Sequence, residues 1–226
     1  MYKVCRHICD GGQGAMDDSS FTRMTKGGIS KNRDRETVFS FTPDTRILTE
    51  RGEVAIQNLQ IGDMVETADK GLEPIVWIGS VTVKAARRNA PVVIPEGTFD
   101  NIREIKVSQN MRILMRGWQL ELNFGYHEAL VSLKNLSYFN ALSVIRKGTV
   151  EYYHILLEEH EIIYADGMAC ESFLPTEESL DALGPEQQAS IYRVFPELQT
   201  DAAFYGPAAR RELAPFEARL LEPNST

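Results

Sequence analysis

Short β-type segments separated by turn residues constrain the fold of this chain more than any other feature. From Phe39 to about Leu174, runs rich in Val, Ile, Thr and aromatic residues alternate with Gly- and Asp-containing turns. The segments are "TRILTERG", "EVAIQNL", "DMVETA", "PIVWIGSVTV", "APVVIP", "EIKVSQNMRILMR", "QLELNFG", "EALVSL" and "TVEYYHILLEEHEIIYADG". Many short strands at this spacing predict a closed or sandwich-like all-β domain. A parallel α/β fold is disfavoured because the pattern leaves no room for helical crossovers.

The two ends of the chain differ from this middle part. Residues 1–37 are polar, Gly-rich and aperiodic, and they carry seven Lys/Arg against five Asp/Glu. Such a composition cannot bury enough apolar surface to offset chain entropy, so it predicts a disordered leader over 1–37. The strand pattern described above then places the β-domain over 38–175.

Residues 176–226 are predicted to form a helical extension packed on the β-domain. Thr176 is a candidate N-cap for "TEESLDAL", and Pro185 stands at the start of "GPEQQASIYRVF". The stretch "PAARRELAPFEARLL" has helical propensity, with a break expected at Pro215.

Composition narrows the functional classes. The chain has 226 residues, 43% of them hydrophobic and 25% charged, as in ordinary globular proteins. No apolar run approaches the roughly 20 residues that span a bilayer, and the N-terminus lacks the apolar core of a signal peptide. We therefore expect a cytoplasmic location or export by another route. The net charge of −8 without a basic cluster argues against nucleic acid as a partner, and the oligomeric state stays open.

The cysteines indicate neither a disulfide framework nor a metal centre. Cys5 and Cys9 flank His7 in "CRHIC", and Cys170 stands far away. The first three could supply soft ligands, but structural zinc usually needs a second ligand cluster, which is missing. We expect no metal and no cofactor.

Ser40 raises a chemical possibility. It lies between two Phe residues, directly before "TPDT", where it could simply open a strand. A hydroxyl at this position could also attack the carbonyl of Phe39 and convert the amide into an ester. That reaction needs groups that activate the hydroxyl, stabilise the oxyanion and protonate the leaving amine.

The surrounding pattern favours the second interpretation. "FTPDTRILTERGEVAIQNLQIGDMVET" contains T-x-I, then x-G, then L-x-x-G-D-x-V after the candidate nucleophile. This layout resembles the first block of the Hint superfamily of hedgehog-type autoprocessing and intein domains, and it looks most like the bacterial Hint-domain group. "GLEPIVWIGSVTV", "IKVSQNMRILMRG", "YYHILLEEHEIIYADGMACESFLP" and "YGPAARRELAPFEARLL" extend the likeness over residues 38–222. The resemblance implies an all-β horseshoe of two pseudo-symmetric halves, which cleaves its own chain with the N-terminal leader as substrate.

The resemblance also assigns site positions. The family nucleophile is usually Cys, and here it is Ser40, which needs an adjacent base. The second block usually reads Thr-x-x-His, whereas this chain has "SQNM". Ser108 can replace the Thr hydroxyl, but Met111 has no proton to donate in place of the His. Asn110 is a neighbouring amide donor that should face away along a strand.

Two histidines could supply the missing acid or base. His154 and His160 are six residues apart, so a regular strand would point both to one face. His160 stands where the family often has a His, and either residue could instead be a structural histidine bonded to backbone or to Glu158 and Glu159. We assign no role to His127.

Two further positions of the family pattern remain. Asp44 and Asp63 fit turn positions better than catalytic ones, although Asp63 could orient the cleft. The splicing members end in His-Asn, where this chain has Glu171-Ser172, so we expect neither splicing nor C-terminal cleavage.

Three functional hypotheses result. The first is slow or impaired autoprocessing by an N–O acyl shift at Phe39-Ser40 followed by ester hydrolysis. The second is a catalytically inactive Hint-fold module that binds a partner or serves a structural role. The third, an unrelated β-domain such as a hydrolase, is disfavoured because no Gly-x-Ser-x-Gly nucleophile elbow is present.

Overall fold

A computed structural model describes residues 39–136 and 138–221 of the chain. In chain order the strands are β1 (Arg46–Thr49), β2 (Gly52–Ala55), β3 (Met64–Thr67), β4 (Gly71–Pro74), β5 (Trp77–Lys84), β6 (Val92–Ile94), β7 (Ile105–Val107), β8 (Arg112–Arg116), β9 (Glu128–Ser132), β10 (Ser143–Val144), β11 (Thr149–Leu156), β12 (Ile162–Ala165) and β13 (Met168–Glu171). The α-helices are α1 (Trp118–Phe124), α2 (Glu177–Asp181), α3 (Pro185–Val194) and α4 (Pro215–Ala218).

The strands pair into one large antiparallel sheet and two smaller ones. The large sheet has the order β2-β1-β3-β12-β13-β8-β9, with β4 added to β3 and a further contact between β1 and β12. Strands β10, β6 and β7 form the second sheet, and β5 pairs with β11 along their full lengths. Non-local pairs such as β3 with β12 bring distant segments together.

The segment that begins at Phe39 lies between the two smaller sheets. Phe41 forms isolated antiparallel bridges to Val107 at the end of β7 and to Tyr153 in β11. The Phe41 amide donates to the Tyr153 carbonyl at 3.1 Å, and the Tyr153 amide donates back at 2.8 Å. These bonds hold Ser40 in the interior, where its exposed fraction is 0%.

Two apolar clusters fill the molecule. The larger joins the inner faces of the sheets and includes Ile47, Val65, Met111 and Ile113. The smaller lies between the β5–β11 pair and the C-terminal helices; its buried members are Trp77, Leu156, Phe173, Leu180, Leu183, Ile191, Leu198 and Tyr205. Helices α2 and α3 therefore pack on the strand pair that carries part of the candidate site, whereas Ala218 of α4 belongs to the larger cluster.

The predicted all-β fold class is confirmed: the described residues form mostly antiparallel strands, with short helices near the C-terminus. Thr176 caps α2, as expected, and forms a capping box with Ser179. The predicted leader, 1–37, lies outside the described residues, and the boundaries at 37/38 and 175/176 stay predictions. No helix among the described residues is both long and apolar enough to cross a membrane.

The prediction that "QLELNFG" forms a strand is wrong. The segment forms α1, which buries Leu120 and packs Phe124 partly against the core at helical spacing, while Leu122 stays 73% exposed. Alternating Leu and Phe residues fit both periods in so short a segment. Flanking glycines decide the outcome, because Gly117 and Gly125 both adopt positive φ at the helix ends.

The expected helix break at Pro215 is also wrong. Pro215 begins α4, since its fixed φ and missing N–H suit the first helical turn. The preceding residues run in extended form alongside β9, where Glu212 bridges Leu130.

We expect Gly125→Ala to lower the free energy of unfolding by about 1 kcal/mol. Gly125 ends α1 at φ 70, a left-handed conformation in which a Cβ is strained. Gly184→Ala is the matched control, because Gly184 has a φ of −69 and open space around its Cα. Urea unfolding should show a change within about 0.5 kcal/mol for the control. Equal losses in the two variants would contradict the assigned helix end.

Candidate active site

Ser40 and His154 meet in the interior. The Ser40 hydroxyl lies 2.8 Å from Nδ1 of His154 and 3.2 Å from Nε2, so the ring presents its edge to the oxygen. Ser40 comes from the segment before β1 and His154 from β11, opposite Gly79 of β5. A hydroxyl bound to an imidazole is the pairing that activates a serine nucleophile.

Ser108 binds the backbone on both sides of Ser40. Its hydroxyl accepts a hydrogen bond from the Ser40 amide at 3.0 Å, and its own amide donates to the Ser40 carbonyl at 2.9 Å. Ser108 follows β7 directly and is fully buried. The hydroxyl therefore lies at the nitrogen that an acyl shift would release.

His154 is neutral at physiological pH. Burial lowers the pKa of its imidazole to about 4, and a hydrogen bond with the Phe39 carbonyl offsets part of that effect. Phe173 packs edge-on against the ring, with centroids 5.1 Å apart, and Trp77 lies at 6.4 Å. A neutral imidazole has a free lone pair that can accept a proton, but at this pKa it is a weak base.

The side chain of Met111 packs in the apolar interior. It is 1% exposed and belongs to the larger apolar cluster. Its amide donates to the Ser108 carbonyl at 3.1 Å, which closes the turn between β7 and β8. The position therefore stabilises the loop that carries Ser108 but supplies no acidic proton.

His160 does not join His154. Strand β11 ends at Leu156 and the chain turns before His160, so the expectation that both rings share one strand face is wrong. Nδ1 of His160 accepts from the Ala209 amide at 2.9 Å. Nε2 approaches Glu171 Oε2 at 3.3 Å without the alignment of a hydrogen bond.

The remaining candidates lie in structural settings. Asp44 has φ 68 and exchanges hydrogen bonds with Gln57, while Asp63 caps a turn at Gln60 and pairs with Arg51. His127 is exposed beside Glu121. Asn110 accepts from the Lys134 ammonium at 3.0 Å.

The cysteines and other metal-ligand types add no site in the described part. Cys170 is buried in β13, and burial raises the pKa of its thiol far above the usual range. No group of three or more His, Cys, Asp or Glu is arranged to hold a metal within residues 39–136 and 138–221. Cys5, His7 and Cys9 lie outside the described residues.

Arg112 and Glu171 lie at the site, and no sequence pattern assigns a role to Arg112. The Arg112 guanidinium pairs with Glu171 at 2.8 Å and lies over the Phe39 ring. The one sequence feature that indicates a place for Arg112 at the site is its position directly after "SQNM". The partners are 59 residues apart in the chain, a distance that no local pattern can bridge.

We expect acid to destabilise the domain through His154. The folded pKa of about 4 lies below the unfolded value of about 6.5, so the unfolded chain binds the proton first as pH falls. Stability from this group is present above pH 6.5 and is lost by roughly 3 kcal/mol towards pH 4. Denaturant unfolding at several pH values should show a flatter profile for His154→Gln than for wild type. Exposed His127→Gln serves as control, and a profile unchanged by His154→Gln would contradict the assignment.

The chain is similar to solved intein structures and to one protein family model. A bacterial intein-like domain from Clostridium thermocellum is 17% identical, with a TM-score of 0.42, and the match covers 59% of this chain and 98% of that one. A DnaB intein from Synechocystis sp. PCC 6803 is 11% identical, with a TM-score of 0.39 and coverages of 59% and 98%. No curated protein sequence matches significantly. The Hint domain family model matches residues 39–177, well over half of the chain. This chain therefore belongs to the Hint domain family.

Proposed function

We propose that this Hint-type autoprocessing domain cleaves its own chain between Phe39 and Ser40 by an N–O acyl shift and ester hydrolysis. The carrying observation is the 2.8 Å contact between the Ser40 hydroxyl and Nδ1 of His154. The residues before Ser40 are then the leaving acyl segment, and the product begins at Ser40.

The steps balance without a cofactor. His154 takes the hydroxyl proton while Oγ of Ser40 bonds to the carbonyl carbon of Phe39. The tetrahedral intermediate then loses its bond to the Ser40 nitrogen, which receives the proton and becomes an amine. Water adds to the carbonyl carbon of the resulting ester, and the bond between that carbon and Oγ of Ser40 breaks. Phe39 then ends in a carboxylate, and Oγ of Ser40 takes up a proton and is a hydroxyl again.

Two further contacts support the acyl shift, one at the leaving nitrogen and one at the carbonyl oxygen. Ser108 Oγ lies 3.0 Å from the Ser40 nitrogen and can pass a proton to it. The His154 ring also bonds the Phe39 carbonyl, where negative charge develops during attack. One histidine thus contacts the nucleophile and the developing oxyanion.

The same geometry favours slow reaction. A base with a pKa of about 4 binds the hydroxyl proton poorly at pH 7. The leaving nitrogen is contacted by the Ser108 hydroxyl, which is not a titratable acid, and Met111 occupies the position of the family histidine. Loss of such a group typically slows a reaction about 10²–10⁴-fold, or about 3–5 kcal/mol in barrier.

We expect Ser40→Cys combined with Met111→His to raise cleavage above wild type. The thiolate attacks more readily than the hydroxyl, and the imidazole can protonate the leaving nitrogen. Intact mass spectrometry would follow the fragment of residues 40–226, with hydroxylamine added to trap the acyl intermediate.

Controls separate the roles of the two residues. Ser40→Ala should abolish the fragment, and His154→Ala should remove residual wild-type cleavage, whereas exposed Ser143→Ala should change nothing. Rapid cleavage of the Ser40→Ala chain would refute the nucleophile assignment.

We expect no cleavage near Glu171-Ser172. Glu171 binds Arg112, and the Ser172 hydroxyl accepts from the Glu161 amide at 3.0 Å. Neither residue has the carboxamide that cyclises in splicing members. A C-terminal fragment that begins at Ser172 or Phe173 during incubation without protease would show otherwise.

The second candidate is a catalytically inactive Hint-fold module that serves in binding or structure. The observation in its favour is Met111, which is packed into the apolar cluster instead of offering a proton. Complete inertness of the Ser40→Cys, Met111→His chain, with its fold retained, would select this alternative.

A further inference from the structure

The side chain of Phe39 occupies a defined position. Cζ of Arg112 lies 4.8 Å from the centroid of the Phe39 ring, within the range of a cation–π contact. Phe39 is the residue whose carbonyl Ser40 would attack. A contact to its ring is therefore a contact to the acyl group of the reaction.

Arg112 is held firmly in this position. Its Nη1 lies 2.8 Å from Glu171 Oε2 and its Nη2 lies 3.0 Å from Glu212 Oε2. The other Glu171 oxygen accepts the backbone amide of Arg112 at 3.1 Å. Two carboxylates bind the edge of the guanidinium plane, which leaves a face for an aromatic ring.

Glu171 is itself buried and enclosed. It is 2% exposed, and the buried His160 ring approaches it at 3.3 Å. His160 is anchored in turn by the Ala209 amide. The contacts therefore run from Ala209 through His160, Glu171 and Arg112 to the ring of Phe39. His160 lies next to Glu171 in this series and not next to Ser40.

One short segment contacts both sides of the scissile bond. Ser108 binds the amide nitrogen of Ser40, and Arg112, four residues later, stacks on the side chain of Phe39. The turn at Met111 connects the two contacts. The same turn therefore carries the group that contacts the bond and the group that contacts the Phe39 ring.

We propose that Arg112, held by Glu171 and Glu212, is a specificity-determining residue that selects an aromatic side chain at position 39. This inference rests on the proposed cleavage at Phe39-Ser40. It adds the acyl-side preference of that reaction: an aromatic aminoacyl ester is formed faster than an aliphatic or cationic one.

The test compares residues at position 39 in the full-length Ser40→Cys, Met111→His chain. We expect Phe39→Tyr to cleave like the parent and Phe39→Leu to cleave about 2- to 30-fold more slowly, the range of one cation–π contact. Phe39→Lys should cleave more slowly than Phe39→Leu, because a second cation would face Arg112. These substitutions leave the Arg112–Glu171 pair intact.

A second arm alters Arg112 without leaving Glu171 unpaired. Arg112→Lys keeps the charge but loses the planar face. Phe39→Leu should therefore slow cleavage by a smaller factor in the Arg112→Lys chain than in the chain with Arg112. Coupling between Phe39→Leu and Arg112→Lys is also measured by urea unfolding of the uncleaved Ser40→Ala chain. Agreement of rate and stability coupling supports the proposal.

The negative outcomes are distinguishable. Equal cleavage of all position-39 variants overturns the specificity role and leaves the proposed function in place. Stability coupling without rate coupling likewise overturns it, since the contact is then structural only. Absence of cleavage in every chain, including that with Phe39, overturns the proposed function and the specificity role together.

Discussion

The insertion of residues 39–41 between β7 and β11 is the interaction on which the site depends. Backbone bonds from Phe41 to Tyr153 and from Ser108 to Ser40 fix this segment as if it were an extra strand. Its neighbours come from positions 68 and 114 residues away, so folding of the whole β-domain is needed to assemble the site. Because backbone groups carry the alignment, substitution of one side chain can alter chemistry while leaving the peptide bond in place.

Burial has opposite effects on the alignment of groups and on the proton transfer that the proposed cleavage requires. It excludes water and strengthens the hydrogen bonds that align Ser40, His154 and Ser108. It also disfavours the charged imidazolium, which lowers the pKa of His154 and weakens it as a base. The charged Arg112 contacts the Phe39 ring and is paired with Glu171, so its charge is directed to that carboxylate and not to the reacting atoms. Burial therefore favours alignment of the three side chains at the expense of the basicity of His154.

The sequence predicts the architecture better than it predicts the contacts. Period-two patterns and turn residues were sufficient for most strands, because one face of each is buried. They failed at α1, where seven residues fit either period and glycines at positive φ decide. Ser40, Ser108 and Met111 are candidates that the order of blocks along the chain identifies. The choice between His154 and His160 depends on where β11 ends, and the pairing of Arg112 with Glu171 depends on strand order, so neither follows from local pattern.

The two candidate functions differ in proton transfer more than in architecture. A binding module has no physical need for a hydroxyl at 2.8 Å from a buried neutral imidazole, since a buried polar pair contributes little more stability than well-packed apolar groups. A fast autoprocessing domain, in turn, would need an acid to protonate the leaving nitrogen, and the Met111 thioether has no proton to donate. The combination fits a domain that retains the geometry of attack and lacks efficient protonation of the amine. In such a domain the barrier lies at C–N bond breakage, so the tetrahedral adduct reverts to the amide more often than it proceeds to the ester.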